Sequence, residues 1–100
     1  MTVYVDNMLK RVDVPNGNRT VRGRWSHMMA DTHEELEAMA RLLQLKPAWI
    51  QCEGTWKEHY DLTMTKRNEA LKLGVVELPI GPEWRDFFKA KKEIYKNKLI

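Results

Sequence analysis

Two short polar strings, Trp25-Ser26-His27 and His59-Tyr60-Asp61, hold two of the three histidines of this chain, with Asp31 just behind the first. Imidazoles and carboxylates bind divalent metals, move protons near neutral pH and orient phosphates. His59 and Asp61 stand two apart, so on an extended segment they project to one side and can reach one ion. His27 and Asp6 would complete a mixed set of the kind zinc, manganese or iron accepts, and such an ion activates water for hydrolysis. No fixed ligand spacing such as HExxH occurs, and the competing account is two buried histidines satisfied by Asp6, Asp31 or backbone groups.

Ser26 beside His27 invites a nucleophilic reading. Neighbours on a strand point to opposite faces, however, and no G-x-S-x-G elbow exposes the serine. A His–Asp pair acting on a bound phosphate or nucleotide is the better acid–base reading. Asp6, Asp31 and Asp61 are also candidate carboxylates for a magnesium site. Against that stand turn chemistry after Asp6, a helix cap for Asp31 and a buried hydrogen bond for Asp61.

The elements that must position these groups follow from local pattern. Thr2-Val3-Tyr4-Val5 is β-branched and aromatic, and predicts a strand ending at Asp6. Residues 7–24 form an excursion around the turn signal Pro15-Asn16-Gly17-Asn18, a small hairpin or mobile arm carrying Lys10, Arg11, Arg19, Arg22 and Arg24. Residues 25–30 predict a second strand, with Trp25, His27 and Met29 on one face and Ser26 and Met28 on the other. A helix then starts at a capping box, either Asp31 with Glu34 or Thr32 with Glu35. Leu36, Met39, Ala40 and Leu43 give it one apolar face, and it ends before Pro47.

Residues 48–51 predict a third short strand and residues 52–58 a loop. Thr63 or Thr65 caps a second helix, with Gly74 in the C-cap role. Residues 75–78 predict a fourth strand, and Gly81-Pro82 opens a third helix. On that helix Trp84, Phe87, Phe88, Ile94 and Tyr95 form the apolar side, while Lys89, Lys91, Lys92, Lys96 and Lys98 face water. Trp49 and Trp84 fall on packing faces, and Trp56 in its Gly-Thr-Trp-Lys-Glu loop is the tryptophan most open to solvent. The order predicts a small single α/β domain spanning 1–100: a mostly parallel four-stranded sheet, about three helices and the N-terminal arm. In such sheets ligands gather at the carboxyl ends of strands, where Asp6, Asp31 and His59 would fall.

One hundred residues suit a single modest core, and 43% hydrophobic with 31% charged residues reads as globular. No apolar run reaches the ~20 residues of a membrane span, and the N-terminus lacks signal-peptide features. The single cysteine, Cys52, has no intrachain disulfide partner, which suits a cytoplasmic protein. Formal charge is +3 over residues 1–24, −3 over 25–81 and +3 over 82–100. The polar strings thus lie in an acidic middle between basic ends. Arg11, Arg19, Arg22 and Arg24 would be the contacts to a nucleic acid or protein partner, with Trp25 or Tyr4 for stacking.

Three motifs in order carry a resemblance: Val-Tyr-Val-Asp at the start, Trp-Ser-His-Met-Met-Ala-Asp leading into Glu-Glu-Leu, and His-Tyr-Asp-Leu before a glycine-terminated helix. Over about residues 1–78 the chain resembles the domain-of-unknown-function 4031 family, small uncharacterised bacterial and phage proteins. Many members place a histidine after Glu-Glu-Leu where this chain has Glu37. The arm at 7–24 and the lysine-rich helix at 82–100 look like local additions. The resemblance implies the fold boundaries and singles out the two strings; it brings no activity, cofactor or catalytic residue.

The residues together predict one polar pocket. His27, His59 and Asp61 would be catalytic, with Asp6, Trp25, Ser26, Asp31 and Tyr60 binding a nucleotide or other phosphate-bearing ligand, with a divalent metal as the candidate cofactor. The alternative is a non-enzymatic accessory protein that contacts a protein or nucleic acid, its polar residues only fastening the fold.

Overall fold

The computed structural model describes the backbone of residues 2–7, 10–16 and 19–98, and the side chains of residues 2–7 and 25–96. Five strands form one sheet: β1 (Val3–Val5), β2 (Lys10–Asn16), β3 (Arg19–Ala30), β4 (Tyr60–Thr63) and β5 (Val76–Glu77). Three helices accompany it: α1 (His33–Leu42), α2 (Met64–Lys72) and α3 (Pro82–Lys98). The class is α/β, but the sheet is mixed. Strand β3 pairs antiparallel with β1, β2 and β4, and only β1 with β5 is parallel. The expected parallel sheet fails because β1, β2 and β3 follow one another through short connections, and a parallel crossover needs a dozen or more residues.

The long β3 organises the molecule. Its Trp25 pairs with both Lys10 and Thr63, and its Met28 with both Val5 and Tyr60. Strand β4 therefore runs along one edge of β3, while β1 and β2 succeed each other along the other. The predicted arm is the β2–β3 ribbon. Residues 17 and 18 of its turn signal, and the side chains of Arg11, Arg19, Arg22 and Arg24, lie outside the described residues.

Alternation along the strands divides the sheet into two faces. One face carries Val5, Met28, Ala30, Tyr60 and Leu62 into a core with Leu36, Ala40 and Leu43 of the α1 segment and Ala70 of α2. Each large apolar side chain so buried contributes roughly 1.5–3 kcal/mol, which fixes this face inward. The other face lies against α3, where the Tyr4 and Phe87 rings meet edge-on at 4.9 Å.

Local signals placed the helices well. Thr32 caps α1: its hydroxyl accepts from the Glu35 N–H and donates to the Glu35 carboxylate, while Asp31 stays outside. Thr63 caps α2 in the same way through the Lys66 N–H. Gly74, at φ 94°, ends α2 in a left-handed turn in which Val75 N–H donates to Ala70 O. Gln44 takes the equivalent place after α1, at φ 58°.

Other expectations need correcting. Residues 48–51 do not form a strand: Pro47–Trp49 is a turn of 3-10 helix, as proline at a helix start permits, and only Gln51 bridges to His59. Trp49 is half-exposed instead of packed, and Ile94 is exposed as well. Lys91 does not face water. It is buried, and its Nζ donates to Ala30 O at 2.8 Å because the helix stripe that meets the sheet includes it.

Candidate metal centre

Strands β3 and β4 place His27 directly opposite Asp61, and His59 lies just before β4, held by paired backbone bonds with Gln51. The three side chains share the α3 face of the sheet. The rings of His27 and His59 meet edge-to-face at 4.8 Å. His27 Nε2 lies 3.8 Å from Asp61 Oδ1, and His59 Nε2 lies 3.5 Å from the same oxygen. One ligand atom from each residue falls within 4.8 Å of the others.

The far nitrogen of each ring is already engaged. His27 Nδ1 sits 2.7 Å from Asp6 Oδ2, and the His27 backbone N–H donates to Asp6 Oδ1 at 3.0 Å. Asp6 is fully buried, and its backbone N–H donates back to His27 O. His59 Nδ1 sits 2.7 Å from Lys57 O, a carbonyl that can only accept. Neutral His59 therefore carries its proton on Nδ1, with the Nε2 lone pair toward Asp61. The buried Asp6 carboxylate imposes the same tautomer on neutral His27. Such outer partners are what orient ligating histidines in metal sites. Gln51 Nε2 donates to the other oxygen, Asp61 Oδ2, and steadies the third group.

The two distances to Asp61 suit an ion. Tetrahedral ligands about 2.1 Å from zinc stand roughly 3.4 Å apart, close to the two distances to Asp61. They are too long to be hydrogen bonds in their own right. The hydrogen bond that His27 Nδ1 donates to Asp6 is also the main reason the His27 pKa lies above its ordinary 6.5; burial opposes it, and the charges of Asp6 and Asp61 add to it. A proton and a metal would compete for the same Nε2.

A cavity of about 510 Å³ opens over His27 and His59. Trp56, Trp84 and Phe88 give it an aromatic wall, and Lys57, Arg85, Lys89 and Lys92 surround it with positive charge. Trp56, expected to be the most open tryptophan, is only partly exposed, against Phe88 at 6.2 Å.

Of the eight residues expected to share a pocket, Asp6, His27, His59 and Asp61 are together. Trp25 lies one step along the same face, paired with Thr63. Ser26 and Tyr60 point through the sheet to the core. Ser26 Oγ is buried without a hydrogen-bond partner among the described residues, and Tyr60 OH donates to Glu37 at 2.8 Å. Burial first, and then the Glu37 carboxylate, raise the Tyr60 phenol far above its usual range. Asp31 is engaged elsewhere: its Oδ2 accepts from the Thr2 N–H, closing the end of β1 against β3. The carboxyl-end rule for parallel sheets therefore places only Asp6, at the end of β1.

Several contributors carry no signal in their spacing. Gln51, the Lys57 carbonyl and Arg67 look like ordinary loop or helix-surface groups. Yet Arg67 is buried, donating to Asp6 O at 3.2 Å while its guanidinium meets Glu77 at 3.1 Å. Fully buried Glu58 accepts from the Gly54 N–H, and His33 Nδ1 lies 3.0 Å from the same oxygen.

A family model described as a protein of unknown function, DUF4031, matches residues 3–88, and the chain belongs to that family. The match takes in the arm and the start of α3 as well as the two strings, so neither is wholly a local addition. No curated protein and no solved structure matches the chain. No helix among the described residues is long and apolar enough to cross a membrane.

Proposed function

We propose that His27, His59 and Asp61 bind a divalent transition metal and that the site hydrolyses a phosphate ester. One observation carries this reading. Both histidines have their Nδ1 fixed by an outer acceptor, and both Nε2 atoms converge on one carboxylate oxygen. Three protein ligands leave a coordination position open, as hydrolytic metal sites require. An ion held there would lower the pKa of a bound water and polarise a phosphoryl oxygen. Lys57, Arg85, Lys89 and Lys92 would hold the anionic substrate over the ligand set. Asp6 would keep His27 in the ligating tautomer, and Gln51 would hold Asp61.

Elemental analysis of the purified protein and titration calorimetry with zinc and manganese test the metal. Near-stoichiometric uptake is expected, abolished by His59→Ala with the circular dichroism spectrum preserved. Release of phosphate from p-nitrophenyl phosphate, dependent on the added ion, tests the reaction. A protein that takes up neither ion would end this reading and leave His27 and His59 as braces of the fold.

A further inference from the structure

On α3 the cavity residues fall in two adjoining rows. Trp84 and Phe88 stand four apart, with ring centroids 4.8 Å from each other. Arg85, Lys89 and Lys92 follow at spacings of four and three, one position round the helix. The rows thus set an edge-to-face aromatic pair, with planes inclined at 68°, beside a line of cations, all lining the cavity over His27 and His59. Across the cavity Trp56 serves the cations instead, with Lys57 Nζ at 5.0 Å and Lys92 Nζ at 5.5 Å from its ring centroid.

Among the described residues none of these four cations makes an ion pair. Among the described residues they are the only lining side chains with a formal charge, and all have one sign. A cleft with unneutralised cations suits a ligand bearing more than one negative charge. The aromatic wall would be poor lining for an inorganic anion alone, and a π-face adjoining phosphate-binding cations is what a nucleobase needs. The Trp84 indole N–H is screened from solvent and has no acceptor among the described residues, so Trp84 offers the cavity its ring and not its donor. A volume of about 510 Å³ lies in the range of pockets that enclose one small molecule, not a chain of nucleotides.

We infer that the cavity binds a mononucleotide. Its base lies against Trp84 and Phe88, and its phosphate among Arg85, Lys89 and Lys92, directed at the ligand set. This names the substrate class of the phosphate-ester reading, on which it rests, while the binding itself is measurable without metal.

The test compares AMP, ribose 5-phosphate and a ten-nucleotide DNA strand by titration calorimetry, with metal content measured in parallel. AMP is expected to bind about tenfold or more tighter than ribose 5-phosphate, the usual worth of one base–aromatic stack. Trp84→Leu, which keeps an apolar volume on α3, should remove that difference. Lys89→Ala should weaken both ligands, and Lys72→Ala on α2 should weaken neither. Equal affinity for AMP and ribose 5-phosphate would overturn the base subsite. Much tighter binding of the DNA strand than of AMP would overturn the mononucleotide in favour of nucleic acid. Loss of AMP discrimination with metal retained defeats only this inference; AMP bound without metal uptake defeats only the metal reading.

Discussion

The molecule contains two pairings of a histidine with a buried carboxylate, and they differ in what the second ring nitrogen meets. His27 Nδ1 rests on Asp6 and His33 Nδ1 on Glu58, at 2.7 and 3.0 Å, and both carboxylates are fully buried. In each case the hydrogen bond is the leading cause of a raised histidine pKa. Beyond His27 stand a second histidine, a second carboxylate and an open cavity. Glu58 is instead shared with the Gly54 N–H and, at 3.5 Å, with Tyr95 OH, tying α1, the loop before β4 and α3 together. Pairing an imidazole with a carboxylate is therefore no sign of chemistry by itself. What distinguishes a site is a free lone pair facing further ligands.

The strongest way to break the comparison is to delete each ring. His27→Ala should abolish zinc uptake and His33→Ala should leave it intact, although both lower the melting temperature because each strands a buried carboxylate; equal effects of both on uptake would erase the distinction. Removing each carboxylate's charge comes next. Asp6→Asn should weaken zinc affinity by about 10–100-fold, the usual effect of losing an outer-shell partner. Glu58→Ala should cost about 2 kcal/mol of stability by stranding the Gly54 and His33 donors, with affinity unchanged. Denaturant titration together with calorimetry separates the two.

A subtler contrast lies in pH. The His33 pKa is raised above 6.5, so its pairing stabilises fully below pH 6.5 and is lost as pH rises through the raised value. The melting-temperature gap between wild type and His33→Gln should be widest in acid and close on the alkaline side. Zinc binding at His27 should run the other way, weakening as pH falls and the proton wins Nε2. The smallest effect concerns a residue beside the site in sequence but across the sheet from it. Ser26→Ala should be neutral or stabilise by up to ~1 kcal/mol, since its buried hydroxyl has no partner among the described residues. A large loss of phosphatase activity in that variant would revive the nucleophile reading.

Legibility differed by scale. The starts of α1 and α2 are legible because a cap is a contact within four residues, while the structure chooses Thr32 over Asp31 and Thr63 over Thr65. The parting of Ser26 from His27 was readable because strand alternation is local. Sheet direction was not. The helix-period and strand-period segments resembled a parallel repeat, and only the short path from β1 through β3 makes the pairing antiparallel. Asp31 lies near the site in sequence, but a hydrogen bond from the Thr2 N–H claims it elsewhere, while alternation turns Ser26 and Tyr60 to the core, where the Tyr60 hydroxyl donates to Glu37.

By itself the sequence determined the helix ends, the alternation that sets His27, His59 and Asp61 to common faces of their strands, and the family. The tertiary structure alone decided that β3 and β4 lie in the register that sets His27 opposite Asp61. It also decided that Asp6 is buried behind His27, and that two adjoining rows of α3 carry aromatics and cations over His27 and His59. Convergence of this kind depends on pairing across tens of residues. No local spacing encodes it, because burying the apolar face of the sheet fixes the register, and the register then places the ligands.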